Sequence, residues 1–138
     1  MLSQLVYVSQ RQKACTSAEI DRILAACQKN NPALGITGVL LYSDTQFIQL
    51  VEGDYKVLMG LYEKIQHDAR HHQPRMISVG PIRQKTFPSW HMGSKKLGEG
   101  KVDFHTDITP EDRVLFSRLL MGKEANGQQV LGLLKKFF

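Results

Sequence analysis

The sequence has few cysteines and no long apolar run, and these two shortages exclude several classes of protein. Its cysteines, Cys15 and Cys27, are too few for a disulfide-stabilised scaffold and match no zinc-binding spacing, which fits a reducing compartment. The apolar stretches are far shorter than the ~20 residues that a membrane-spanning helix needs. No basic region followed by an apolar one opens the chain, so no signal peptide is expected. We therefore expect a cytoplasmic protein that does not span a membrane.

The motifs of common enzymes and nucleic-acid-binding proteins are also missing from the sequence. It contains no P-loop, no GxGxxG after a strand, no nucleophile elbow and no HExxH. His67 and His71 are four residues apart, but no third metal ligand is indicated, so no metal site is expected. The net charge of +5 comes from scattered basic residues without an arginine-rich run, which favours a solvated basic surface over nucleic-acid binding.

Two other functions of small α+β domains lack their sequence signals here. An acylphosphatase-like hydrolase needs a phosphate-cradling loop after the first strand, and residues 9–13 (SQRQK) contain no glycine. An RNA-binding module needs exposed aromatic residues in an RNP1-like pattern on its central strands, and no such pattern is present. Both functions are therefore disfavoured.

The chain instead carries a regular alternation of strand and helix signals. With 138 residues, 42% of them hydrophobic, it is long enough for one domain with its own core. Period-two and apolar runs separated by turn residues indicate strands. Strands are predicted at residues 5–9, 36–42, 46–52 and 76–83, with a less distinct one at 90–97.

Helix-start signals fall between these strands. Thr16 and Glu19 have the spacing of a capping box, and the helix that follows is predicted to end at Asn30-Asn31-Pro32. Asp54 is predicted to cap a second helix that ends near residues 68–72. The resulting order, β-α-β-β-α-β-β, predicts an α+β, ferredoxin-like sheet with two helices on one face.

The last third of the chain is predicted to be helical after a connector. Residues 98–108 are mostly polar, and Thr109-Pro110 gives a cap residue followed by proline at the first helical position. A last helix is expected over about 126–137. These two helices would either cover the second face of the sheet or form a surface for a partner. We expect the first domain to cover residues 1–97 and this helical extension, with its connector, to cover 98–138.

Two polar residues in predicted core strands call for hydrogen-bond partners. Gln49 lies between Phe47 and Val51 on one face of its strand, and a buried amide without partners costs about 1–3 kcal/mol. Tyr7 is central in the first strand, which is adjacent to the third strand in this fold. Tyr7 and Gln49 can therefore meet as a polar spot in an apolar pocket, as in many ligand sites. The simpler alternatives are a partly exposed face or backbone partners for the Gln49 amide, and an ordinary core position for Tyr7.

Five separated segments resemble the BLUF domains, the blue-light sensors that use FAD. They are LVYVS, NNPALGITGVLLY, FIQLVEG, DARHH and FPSWHM, in the order and at the spacing of that family. The resemblance covers about residues 1–97, and the final helices resemble the tail of short, stand-alone members. It implies FAD, with FMN as the alternative, held non-covalently between the two helices.

The resemblance also assigns roles to individual residues. It implies that Tyr7 donates an electron and a proton to the excited flavin and that Gln49 is the switching amide between Tyr7 and the ring. Trp90 and Met92 match the residues that compete for the place beside this glutamine, and we expect both to point to the same side of an extended segment. His91 between them is unusual.

The remaining implied contacts surround the cofactor. Asn31 is expected to hydrogen-bond the polar edge of the ring, with Asn30 close by, although helix termination alone would explain both. Arg70 and His71 are expected near the ribityl-phosphate end or the ring, although a cationic helix end would also explain Arg70. The implied cofactor-binding residues are Tyr7, Ile23, Asn30, Asn31, Phe47, Gln49, Arg70 and His71.

The function expected from the sequence is light sensing without enzymatic turnover. No second enzymatic domain is expected, so the signal would pass through the fifth strand and the last two helices. Its receiver would be a separate signalling protein or another copy of the chain in a homo-oligomer.

Overall fold

The computed structural model describes residues 1–88, 90–97 and 109–138, and a five-stranded sheet lies at its centre. The strands are β1 (Leu2–Arg11), β2 (Thr37–Tyr42), β3 (Gln46–Asp54), β4 (His71–Pro81) and β5 (Gly93–Lys96). Their spatial order is β4-β1-β3-β2-β5. Neighbouring strands are antiparallel except β2 and β5, which are parallel.

Four helices accompany the sheet. They are α1 (Ser17–Leu34), α2 (Tyr55–Gln66), α3 (Pro110–Leu120) and α4 (Gly127–Lys135). The helices α1 and α2 connect β1 to β2 and β3 to β4, and both pack on one face of the sheet. This arrangement confirms the predicted α+β, ferredoxin-like fold. Within the described ranges, no helix has the length and apolar character needed to cross a membrane.

The strands are apolar on both faces because helices cover both. Alternate residues of β1 and β3 face α1 and α2, and the residues between them face α3 and α4. Of the two expectations for the C-terminal helices, covering the sheet is confirmed. Their buried contacts to the sheet come from Phe116, Leu119, Val130, Leu133, Leu134 and Phe137.

The predicted helix starts are confirmed, with one difference. Thr16, Asp54 and Thr109 each accept a backbone N–H at the start of a helix. The reciprocal half of the capping box is missing at Thr16, because the carboxylate of Glu19 pairs with Arg22 instead.

The predicted end of α1 at Asn30-Asn31-Pro32 is wrong, because the helix continues through Pro32 to Leu34. The chain leaves the helix at Gly35, whose φ of 67° is the left-handed conformation that favours glycine. The Gly35 N–H reaches back to the carbonyls of Asn31 and Pro32. Asn30 and Asn31 therefore lie within the helix, in its last turns.

The predicted end of the second helix is also wrong. The helix stops at Gln66, and residues 71 and 72 already belong to β4, which begins five residues before the predicted 76–83 and ends at Pro81. Polar residues and Pro74 conceal the strand pattern before residue 76, and β4 is an edge strand, where proline is tolerated. The fifth strand is four residues long, shorter than the predicted 90–97. The predicted connector, 98–108, lies outside the described residues.

Candidate functional site

A cavity of about 550 Å³ lies between α1 and α2, above the sheet. This volume is in the range of small-molecule and cofactor sites, about 300–1,000 Å³. The residues around it are Tyr7, Ile23, Ala26, Cys27, Lys29, Asn30, Asn31, Ala33, Leu34, Gln49, Leu61, Lys64, Ile65, Asp68, Arg70 and His71. Among the described residues, no cluster of three potential metal ligands occurs.

Tyr7 and Gln49 form the polar part of the cavity floor. They are directly opposite each other in the β1–β3 pairing, and the Tyr7 hydroxyl donates a hydrogen bond to Gln49 Oε1. Gln49 Nε2 donates to the sulfur of Met92 at 3.3 Å. The two side chains thus meet as predicted, and Met92 lies beside the amide.

The Tyr7 phenol is held in its protonated form. Burial raises the pKa of Tyr7 far above its ordinary value, and nearby Cys27, Asp68 and Tyr62 raise it further. The hydroxyl therefore remains a hydrogen-bond donor at physiological pH.

The segment that carries Met92 is attached to the neighbouring elements through three successive carbonyls. The Trp90 carbonyl accepts from the Gly38 N–H at 2.9 Å. The His91 carbonyl accepts from Asn31 Nδ2 at 2.6 Å, and the Met92 carbonyl accepts from Gln28 Nε2 at 3.0 Å. The end of α1 therefore contacts both the cavity and this segment.

Trp90 lies away from the cavity, and the prediction that it points to the same side as Met92 is wrong. Its ring stacks on Phe87 with 5.2 Å between centroids and meets Phe138 edge-on at 5.4 Å. Trp90 is 40% exposed and Met92 only 4%. The two residues separate because they precede β5 and do not belong to an extended strand.

The mouth of the cavity carries positive charge. Arg70 binds the carboxylate of Asp68 at 2.6 Å, a hydrogen bond that lowers the Asp68 pKa, and lies 3.9 Å from Glu19. Lys29 on α1 and Lys64 on α2 also line the cavity. Sequence reasoning missed both lysines, because basic residues are scattered along the chain. Lys64 comes three residues after Leu61, a helical spacing that would have indicated it, whereas Lys29, two residues after Cys27, has no such signal.

His71 lies between the floor and the mouth. Its Nδ1 is 2.7 Å from Ser9 Oγ, and its ring is 4.6 Å from Phe47 and 6.0 Å from Tyr7. Burial lowers the pKa of His71 to about 4, so the imidazole is neutral at physiological pH. Phe47 is fully buried and packs against His71 without lining the cavity, whereas Ile23 and Asn30 do line it.

The low pKa of His71 predicts a loss of stability in acid. The unfolded chain takes up this proton near pH 6.5 and the folded one only near 4, so stability falls as pH decreases between these values. We expect the parent to lose about 2 kcal/mol more than His71→Gln between pH 7 and 4. Urea unfolding across this range measures it, with the exposed His72→Gln as control. Parallel curves for the parent and His71→Gln would contradict the prediction.

Comparison with known proteins places this geometry in a family. The family model of sensors of blue-light using FAD matches residues 2–93. The photoactivated adenylate cyclase subunit beta of Euglena longa is 32% identical over 94 residues, which are 67% of this chain and 11% of that protein. The chain thus spans about a tenth of that curated relative.

Two solved structures superpose on almost the whole length of this chain. BlsA in its photo-activated state superposes with a TM-score of 0.75 at 27% identity, covering 99% of this chain and 94% of that one. The dark-state structure of BlrB, a BLUF protein, gives 0.74 at 29% identity and covers 98% and 93%.

The fold and cavity define a cofactor-binding sensor domain. The chain belongs to the BLUF family, the sensors of blue light that use FAD. The residues present fit that cofactor. The cavity has the necessary volume, an aliphatic wall from Ile23, Leu61 and Ile65, and cationic groups at its mouth. Its polar floor offers hydrogen-bonding groups to the edge of a ring.

Proposed function

We propose that Tyr7 and Gln49 form the light-driven switch of this sensor. The observation that carries the proposal is the continuous hydrogen-bonded row Tyr7–Gln49–Met92 in the cavity floor. The bound flavin would absorb the blue light and transiently accept an electron and a proton. Asn31, with Asn30 nearby, would face the polar edge of the ring. Ile23 would pack on the ring, and Phe47 would pack against His71.

Tyr7 is suited to the donor role because its phenol holds both an electron and a proton. Its hydrogen already points to Gln49 Oε1, so the amide would take up that proton at its oxygen and release one from Nε2 toward the ring, as the phenol gives up one electron to the ring. Return of both the electron and the proton restores the phenol. No covalent bond to the protein is required, which is consistent with a reversible cycle.

Gln49 is suited to the switching role because its amide has one donor end and one acceptor end. A half-turn of the amide, or its conversion to the imidic tautomer, changes which of its atoms donates. Either change alters the bond from Nε2 to the Met92 sulfur. A stronger hydrogen bond to a ring carbonyl lowers the transition energy, which shifts absorption to the red.

A change at Met92 has a short path to the surface. The carbonyls of Trp90, His91 and Met92 are held by β2 and α1, so these bonds must adjust if the segment moves. Trp90 in turn contacts Phe138, just beyond α4. We infer that residues 1–97 form the light-sensing domain and that 98–138, connector and helices, form the extension that transmits its state.

The receiver of the signal is proposed to be a separate signalling protein or another copy of the chain. BLUF domains work with effectors, and the Euglena longa relative is named as a subunit of an adenylate cyclase. We infer that the chain itself senses light and that any enzymatic turnover belongs to this receiver.

The purified protein is expected to be yellow and to show a small red shift after blue light. The shift should disappear in the dark, because only hydrogen bonds change. A visible spectrum before illumination, directly after it and after dark recovery measures this. A flavin-loaded protein whose spectrum does not change would overturn the proposal.

Hydrogen exchange tests the proposed route of the signal. We expect light to change protection across residues 88–97 and in the helices between 109 and 136, because the Met92 segment and Trp90 connect the amide to α4. The first half of α2 serves as the internal reference. Identical exchange in dark and light across both ranges would exclude this route even if the spectrum shifts.

A further inference from the structure

Ser9 makes a buried contact with a residue of the cavity wall. It follows Tyr7 on the same face of β1, and its side chain is 1% exposed. Its Oγ lies 2.7 Å from Nδ1 of His71. Within the described part of the chain, this is the one side-chain hydrogen bond found for Ser9. Nδ1 of His71 is therefore the hydrogen-bond partner of this buried hydroxyl.

A β-bulge brings the two side chains together. Val8 pairs with Arg75 and Gln10 pairs with His72, so two residues of β4, Gln73 and Pro74, oppose the single Ser9. Gln73 has a φ of 49°, an uncommon conformation for a residue other than glycine. Bulges often redirect side chains beside functional sites. Here the irregularity occurs where β4 delivers His71 to the cavity.

The hydroxyl of Ser9 determines which atom carries the hydrogen between Ser9 Oγ and His71 Nδ1. If Nδ1 of a neutral His71 carried the proton, Ser9 Oγ would accept it, and the hydroxyl hydrogen would have no acceptor among the described residues. A buried donor without a partner is costly. If Ser9 donates to Nδ1 instead, its hydrogen is satisfied and the ring proton resides on Nε2. The second arrangement is the stable one.

The other ring nitrogen is then a free donor. Among the described residues, Nε2 of His71 has no hydrogen-bond partner, and it is not one of the fully enclosed polar atoms that lack one. His71 lines the cavity. We propose that Ser9 is a positioning residue that fixes the tautomer of His71, so that its Nε2–H is presented to an acceptor oxygen of the bound flavin. This inference rests on the flavin occupying this cavity.

Nitrogen-15 spectra of the imidazoles in the dark, flavin-loaded protein test the proposal directly. The signals of His71 are assigned by their loss in His71→Gln, and we expect the parent to show the Nε2-protonated form. In Ser9→Ala the two tautomers should mix, and flavin affinity should weaken by about three- to tenfold. Ser3→Ala is the matched control, since Ser3 is a buried serine of the same strand outside this cavity.

A second variant separates this role from a general loss of packing. In a His71→Gln background, Ser9→Ala should have no further effect on flavin affinity, because the residue it positions is absent. Equal losses in both backgrounds would overturn the proposal, as would an Nδ1-protonated His71 in the parent. The spectra and the flavin affinities are measured in the dark, so they test this proposal independently of the Tyr7–Gln49 switch.

Discussion

Replacing Tyr7 by phenylalanine is expected to abolish the red-shifted state while the protein still binds flavin. The change removes one hydroxyl and keeps the ring that packs in the core, so the cavity should survive. The hydroxyl is the donor to Gln49 Oε1, and the proposed switch takes its electron and its proton from this phenol. The loss should be complete, measured as the difference spectrum after blue light.

Gln49→Leu should give the same optical result for a different reason. It keeps roughly the same volume and removes both ends of the amide, so the donor Tyr7 is present but the hydrogen bonds to be rearranged are gone. Flavin should again be retained. Transient absorption distinguishes the variants, since only Gln49→Leu keeps the Tyr7 phenol, whose oxidation can then be followed.

Tyr62→Phe is the control for both variants. Tyr62 is another buried tyrosine, with its ring centroid 5.7 Å from that of Tyr7, and it does not line the cavity. Its variant should shift to the red like the parent. If Tyr7→Phe or Gln49→Leu shows a normal light-induced shift, the role given to that residue is wrong.

The parts of the fold that could be predicted are those with local signals. Period-two patterns and cap residues identify every strand and helix in the order, and the ferredoxin-like topology then makes β1 and β3 neighbours. That topology allows Tyr7 and Gln49 to meet, and the register between β1 and β3 makes them direct partners. An isolated polar residue in the interior of an apolar strand is thus a useful sequence signal for a ligand site.

The errors arise where tertiary contacts override local preference. Pro32 signals a helix end, but Gly35 provides a better one three residues later. Residues 68–72 resemble a cationic helix end, but pairing with β1 makes residues from His71 onward an edge strand with a bulge. The separate positions of Trp90 and Met92 depend on Phe87 and Phe138, which lie on the opposite face of the sheet and carry no sequence signal for this contact.

Gly38→Ala is expected to have the largest effect on stability. A Cβ at Gly38 would lie 2.0 Å from the carbonyl oxygen of Leu50 and 3.0 Å from the Val51 Cα, both in the backbone of β3. No side-chain rotation relieves contacts with backbone, so β2 and β3 would have to separate in the middle of the sheet. We expect a loss of about 3 kcal/mol or more in the free energy of unfolding.

The control for Gly38→Ala is the same substitution where the space is open. Gly60 lies in α2 with nothing within 4 Å of its Cβ position, so Gly60→Ala should stabilise the protein by about 0.5–1 kcal/mol through helix propensity. In thermal unfolding, the Tm of Gly38→Ala should be roughly 10 °C below that of the parent. The Tm of Gly60→Ala should be equal to or above that of the parent. Because the Gly38 N–H also holds the Trp90 carbonyl at 2.9 Å, a folded Gly38→Ala protein should have a less protected Trp90 segment in the dark. A parental Tm for Gly38→Ala would mean that the two strands tolerate a side chain between them.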